Sequence, residues 1–167
     1  MMRLAAAILA LFLGSARAQT AIQQYLVSLR LGDTLEQIKM IYPPTQEWPK
    51  FREPGGRVVR INIERGYSKW FPPGVATLRL GMRRGRLVHM QLIHDRDESK
   101  RKPLEQLVLD LALVYGEPRR SGEAYFWADG SRILAVSNEE LPTGREEERE
   151  VRTSLELMDE DYYPPLQ

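Results

Sequence analysis

Few groups in this chain could do chemistry. None of the 167 residues is a cysteine, which removes disulfides, thiol nucleophiles and a lipid anchor on an N-terminal cysteine. His89 and His94 are the two histidines. Five positions apart on one expected strand, they point to opposite faces. His94 with Asp95 and Asp97 falls short of the three or four convergent donors that zinc needs, so a charged strand end in water is the simpler reading. No serine sits in a nucleophile-elbow pattern and no glycine-rich phosphate loop occurs. We therefore assign no catalytic, cofactor-binding or metal-binding residue and expect no cofactor. The run Glu146-Glu147-Glu148 reads as a solvated loop, with a weak calcium or cationic-partner contact as the alternative.

Two groups have the composition of binding surfaces. Arg83, Arg84 and Arg86 crowd one expected hairpin tip. They either solubilise a turn or meet anionic head groups or an acidic partner. Tyr125, Trp127 and Arg132 are expected on one face of a second hairpin. An exposed Tyr–Trp–Arg face is typical of an interface hot spot, and Arg132 opposite Trp127 would form a cation–π pair. The same residues could instead be core beneath a helix, with Arg132 reaching out to water. Trp48 and Trp70 lie in proline-bearing loops, where partial burial is the default.

The elements that hold these groups are readable from periodicity. Pro103 suits a helix start, and Leu104, Leu107, Val108, Leu111 and Tyr115 follow at steps of three and four. Leu109 and Leu113 widen the stripe, which predicts a well-buried helix ended by Gly116 and Pro118. Asp129-Gly130 then separates two β-prone runs, the strongest short hairpin signal. A two-residue turn there pairs Trp127 with Arg132 and Phe126 with Ile133. Upstream, Asp33 with Glu36 suggests a helix start, and Pro43-Pro44 ends that helix. Val59, Ile61 and Ile63 alternate, as do Ala76, Leu78, Leu80 and Met82, then Val88, Met90 and Leu92, and finally Val151, Thr153, Leu155 and Leu157. Residues 19–31 are helical or extended. Residues 95–102 read as a charged connector. Residues 139–150 read as a flexible acidic loop and 159–167 as a tail.

The N-terminus resembles a secretory signal. Arg3 precedes the apolar run Leu4 to Leu13, and Ala16-Arg17-Ala18 fits the cleavage rule. The expected mature chain begins at Gln19, forms one domain and is exported, periplasmic or secreted. Residues 19–103 carry 16 Lys and Arg against 8 Asp and Glu, whereas residues 104–167 carry 6 against 15. Either the halves neutralise each other within one fold, or the surface is dipolar and used in association. Nucleic acid is not an expected partner: the basic half has no binding motif and an exported protein rarely meets nucleic acid.

The order helix, three strands, helix, three strands suggests a tandem repeat with halves 32–94 and 103–158. Leu35-Glu36-Gln37 and Leu104-Glu105-Gln106 open the two helices, and Tyr42-Pro43 and Tyr115-Gly116-Glu117-Pro118 close them. The fold class expected is α+β, with about six antiparallel strands and two helices on one face. The segments Leu31 to Ile38 and Tyr115 to Pro118 with Trp127 to Gly130 resemble motifs of small exported bacterial helix-plus-β-hairpin modules. These are the β-lactamase-inhibitor proteins and the small lipoprotein of the outer-membrane assembly machinery. The chain departs from both, lacking the lipidation cysteine of one and the cysteine pair of the other. The resemblance implies a non-enzymatic protein-binding scaffold. The expected function is thus an interaction module of the bacterial envelope, binding an envelope or extracellular protein. A carrier of a small apolar ligand and an unrecognised hydrolase are the alternatives.

Overall fold

Alternating apolar residues drive the longer strands, and the computed structural model describes residues 20–54, 56–143 and 149–161. The expected signal segment lies outside these residues, as does the acidic run 146–148. The order is β1 (Tyr25–Leu26), β2 (Leu29–Arg30), α1 (Leu35–Ile41), β3 (Lys50–Arg52), β4 (Val59–Glu64), β5 (Val75–Arg83) and β6 (Arg86–His94). Then come α2 (Arg96–Arg101), α3 (Leu104–Tyr115), β7 (Arg119–Ser121), β8 (Ala124–Ala128), β9 (Arg132–Pro142) and β10 (Arg149–Asp159). Strands β3 to β10 form one antiparallel sheet in the order β3-β4-β5-β6-β10-β9-β8-β7. Two four-strand halves therefore meet at their last strands, β6 against β10. No helix among the described residues is long and apolar enough to cross a membrane.

The α+β class and the antiparallel sheet agree with the sequence reading; the counts do not. Among the described residues there are eight strands in the main sheet, two in a separate hairpin, and three helices. The missed strands β3 and β7 are three residues each and carry mostly charged or polar side chains, so no alternation marks them. The stretch expected to be a connector is α2, capped where the Asp95 carboxylate accepts from the Glu98 N–H at 2.9 Å. Strand also covers both ends of the stretch expected to be an acidic loop. Glu139 to Pro142 extend β9 and Arg149 and Glu150 begin β10, with Glu140 opposite Val151 and Glu139 opposite Arg152. Cross-strand pairing and ion pairs here override a composition that favours loop.

One face of the sheet carries the main core. Ile38 of α1, Leu104 and Leu107 of α3, and Leu26 and Leu29 of the β1–β2 hairpin join Ile61, Leu80, Met90, Leu134 and Leu157 in one buried cluster. Two bulges keep this face continuous. Ala76 is extra on β5 and Val88 on β6, so the inward residues are Val75 and Leu87 rather than the Ala76 and Val88 that strict alternation selects. The broad apolar stripe of α3 is only partly used. Leu104 and Leu107 are buried and Leu111 is half-buried, but Leu109 is 62% and Leu113 88% exposed. The start of α1 is also displaced by one residue. Thr34, not Asp33, is the cap, paired reciprocally with Gln37, while Asp33 accepts from the Arg30 N–H at 2.8 Å.

A basic groove as the candidate functional site

The β8–β9 turn shows why the expected Tyr125–Trp127–Arg132 face is not a surface. The Asp129 carboxylate accepts from the N–H groups of Ser131 and Arg132, and the Asp129 N–H donates to the Arg132 carbonyl. Four residues therefore make the turn, and Trp127 faces Leu134 rather than Arg132. The register moves by two, so each side chain keeps its face while changing its partner. Trp127 is 3% exposed, packs against Tyr115, and donates its indole N–H to the Gly116 carbonyl at 2.8 Å. Its neighbour Tyr125 is half-buried against the same core. Arg132 turns aside to donate to the Ile22 carbonyl. Trp127 and Tyr125 pack into the core beneath α3 while Arg132 stays partly exposed, so the expected exposed binding face does not form. Burial alone would raise the Asp129 pKa. Hydrogen bonds from Ser131, Ile22 and Arg132 outweigh it and hold the carboxyl below its usual range.

The histidines are also committed. His89 lies on the sheet face away from the helices, between the Arg60 guanidinium at Nδ1 and Glu156 Oε2 at 3.4 Å from Nε2. His94 Nδ1 is 2.8 Å from Thr153 Oγ1. Its burial, aided by Lys102 and opposed by Asp95, pushes its pKa below the ordinary value. Among the described residues no three His, Asp or Glu side chains converge as a metal site. Trp48 is buried, with its indole N–H on the Tyr67 carbonyl at 2.9 Å, whereas Trp70 is 62% exposed.

The arginines of the β5–β6 tip divide. Arg86 donates to the Gly32 carbonyl at 3.2 Å and ties the tip to the start of α1. Arg83 and Arg84 instead line an open groove of about 770 Å³. The tip itself is a two-residue turn with φ of +48° at Arg84 and +75° at Gly85. Lys50, Arg52 and Arg57 complete the cationic lining, and Leu35, Val59, Ile61 and Met82 give the groove an apolar floor. Strand register explains the arrangement. Arg52 faces Val59, which faces Met82, and Lys50 faces Ile61, which faces Leu80. Each basic residue at the sheet edge thus ends a row of apolar residues.

Among the described residues, no carboxylate lines this groove. Among the described residues, Lys50, Arg52, Arg57 and Arg84 form no ion pair. Elsewhere the opposite charges of the two halves do meet, as in Arg79–Glu139 at 3.5 Å and Arg96–Glu150 at 2.5 Å. With Arg96 and Arg152 donating to it, the Glu150 carboxyl is held down to about 2. Neutralisation between halves is therefore real but partial, and Lys50, Arg52, Arg57 and Arg84 are left together along one sheet edge. Sequence reading found Arg83 and Arg84 but missed Lys50, Arg52 and Arg57. The available signal was three cations within eight residues, next to the strand expected over 58–63. No protein-family model, curated protein or solved structure matches the chain.

Proposed function

We propose that this chain is a non-catalytic, exported binding module of the bacterial envelope and that the basic groove is its recognition surface. The observation that carries the reading is a groove with five cationic side chains, no acid among its described lining residues and an apolar floor. Such a lining favours an anionic partner with some apolar surface, because charge steers the encounter and desolvated apolar area adds affinity. The groups that could have served a reaction are engaged in internal hydrogen bonds, His89 with Arg60 and Glu156 and His94 with Thr153. A carrier of apolar cargo finds less support. The space between sheet and helices is filled by Ile38, Leu78, Leu80 and Leu134, all fully buried. Export rests on Arg3, the run Leu4 to Leu13 and Ala16-Arg17-Ala18.

Fluorescent poly-glutamate and phosphatidylglycerol vesicles test the groove. At least one should bind the exported chain, more weakly as salt rises through the range where surface charges are screened. The double reversal Arg57→Glu/Arg84→Glu should weaken that binding by about tenfold or more while leaving the fold intact. Failure of both probes, or binding that the reversal leaves unchanged, would overturn the assignment.

A further inference from the structure

We infer that the groove takes an extended acidic peptide from another protein, added as a further strand along β3. This rests on the groove being the recognition surface and goes beyond it by naming the partner and its mode of binding. Two separate observations support it. The first is charge: Lys50 and Arg52 project into the groove beside Arg57, Arg83 and Arg84, with no carboxylate among the lining residues. The second is the main chain of β3, the terminal strand of the sheet.

The hydrogen-bond phase of β3 shows which of its groups are open. The Asn62 N–H donates to the Pro49 carbonyl and the Glu53 N–H to the Val58 carbonyl, each at 3.1 Å. Between them Phe51 faces Arg60. Residues 49, 51 and 53 therefore bond inward to β4. In an antiparallel ladder the intervening residues direct their N–H and C=O groups the other way. Those are Lys50 and Arg52, and neither meets a main-chain partner among the described residues. An added strand would bond to these two residues, while its alternate side chains lay in the groove opposite the Lys50 and Arg52 side chains. A spacing of two between acidic residues matches a strand period.

A second copy of this chain is a poor occupant. Pairing β3 with β3 would bring Lys50 and Arg52 against their own kind, and pairing it with the other edge would bring them against Arg119 and Arg120. Like charges across a strand pair are destabilising, so the edges reject each other and accept an acidic chain.

The experiment uses the exported chain and an acidic peptide of four Glu-Val repeats. Two further analogues carry backbone N-methyl groups on alternate residues, one in each phase. Amide hydrogen exchange and peptide titration are read together. Strand addition predicts that the Lys50 and Arg52 amides slow on binding, that one methylated phase binds, and that the other does not. The reversal Arg57→Glu/Arg84→Glu should weaken the unmodified peptide by about tenfold, the effect of losing two exposed ion pairs and gaining repulsion. Equal binding of both methylated phases would overturn strand addition yet leave the groove as an anion site. Binding of phosphatidylglycerol vesicles without the peptide would do the same and identify a membrane as the partner. Lys50 and Arg52 amides already slow in the free protein would mean that the chain covers its own edge, again overturning the inference. If neither peptide nor vesicles bind, the wider functional reading falls with it.

Discussion

At one edge of the sheet, on β7, Arg119 lies 4.7 Å from the centre of the Phe126 ring and Arg120 lies 5.5 Å from that of Tyr125. At the other edge, on β3, Lys50 and Arg52 lie over no ring among the described residues. Register makes the difference. Arg119 faces Phe126 and Arg120 faces Tyr125, so each cation has an aromatic partner on the next strand. Lys50 faces Ile61 and Arg52 faces Val59, which offer aliphatic surface and no counter-charge. Both edges are short and basic, a common guard against edge-to-edge association. On one, the cations are absorbed by the fold; on the other, they remain available to a ligand. The same residue type is tied into the fold or left without a counter-group according to what stands across from it.

Inside, the two halves are built alike. Each buries one tryptophan whose indole N–H meets a main-chain carbonyl, Trp48 with Tyr67 and Trp127 with Gly116. Trp48→Ala and Trp127→Ala should each cost roughly 3–5 kcal/mol in denaturant unfolding. A small loss in one alone would break the equivalence of the halves.

Within the second half, the buried and exposed sides of α3 should separate by nearly as much. Leu107→Ala should cost roughly 2–5 kcal/mol by lost transfer energy and cavity formation. Leu113→Ala should change stability by less than about 0.5 kcal/mol, because that side chain is 88% exposed. Thermal melts of the pair check it, and a large loss at Leu113 would mean that something covers the outer face of α3.

The edges themselves give a smaller contrast. Arg119→Ala should cost about 0.5–1 kcal/mol, the worth of an exposed cation–π contact. Arg52→Ala should leave stability within about 0.5 kcal/mol yet weaken poly-glutamate binding. If Arg52→Ala destabilises more than Arg119→Ala, the assignment of roles to the two edges is reversed.

The subtlest readout is at the seam between halves, where Glu150 of β10 meets Arg96 of α2 and its strand neighbour Arg152. The folded carboxyl titrates at about 2, below its ordinary 4.5. A carboxyl pKa lowered by folding contributes stability above 4.5, and the contribution fades as pH falls towards 2. Carboxyl NMR should follow that low midpoint in the parent and a higher one in Arg96→Ala. An unchanged midpoint would remove Arg96 from the pairing.

The sequence by itself determined the class and much of the order. Alternation from Val59 to Ile63 and from Leu78 to Met82 is a local consequence of one-sided burial, and it was readable without partners. Gly116 ended α3 with φ of +83°, as a glycine after a helical stripe should. The parity of the β8–β9 hairpin was also legible, because side chains alternate whatever the turn length.

Only the tertiary structure decided which face became core and which charges stayed unpaired. Trp127 is buried because α3 lies over it, a fact of packing that composition cannot supply. The turn took four residues because the Asp129 carboxylate binds two N–H groups across it. Strand β3 exists because β4 offers it a ladder, and its own sequence of Lys50, Phe51 and Arg52 has no strand signature. The groove follows from that pairing. It joins residues from β3, the loop after it, β4 and the β5–β6 tip, more than thirty positions apart in sequence. A sequence reader sees each cation singly, whereas their gathering in one groove is a property of the folded surface.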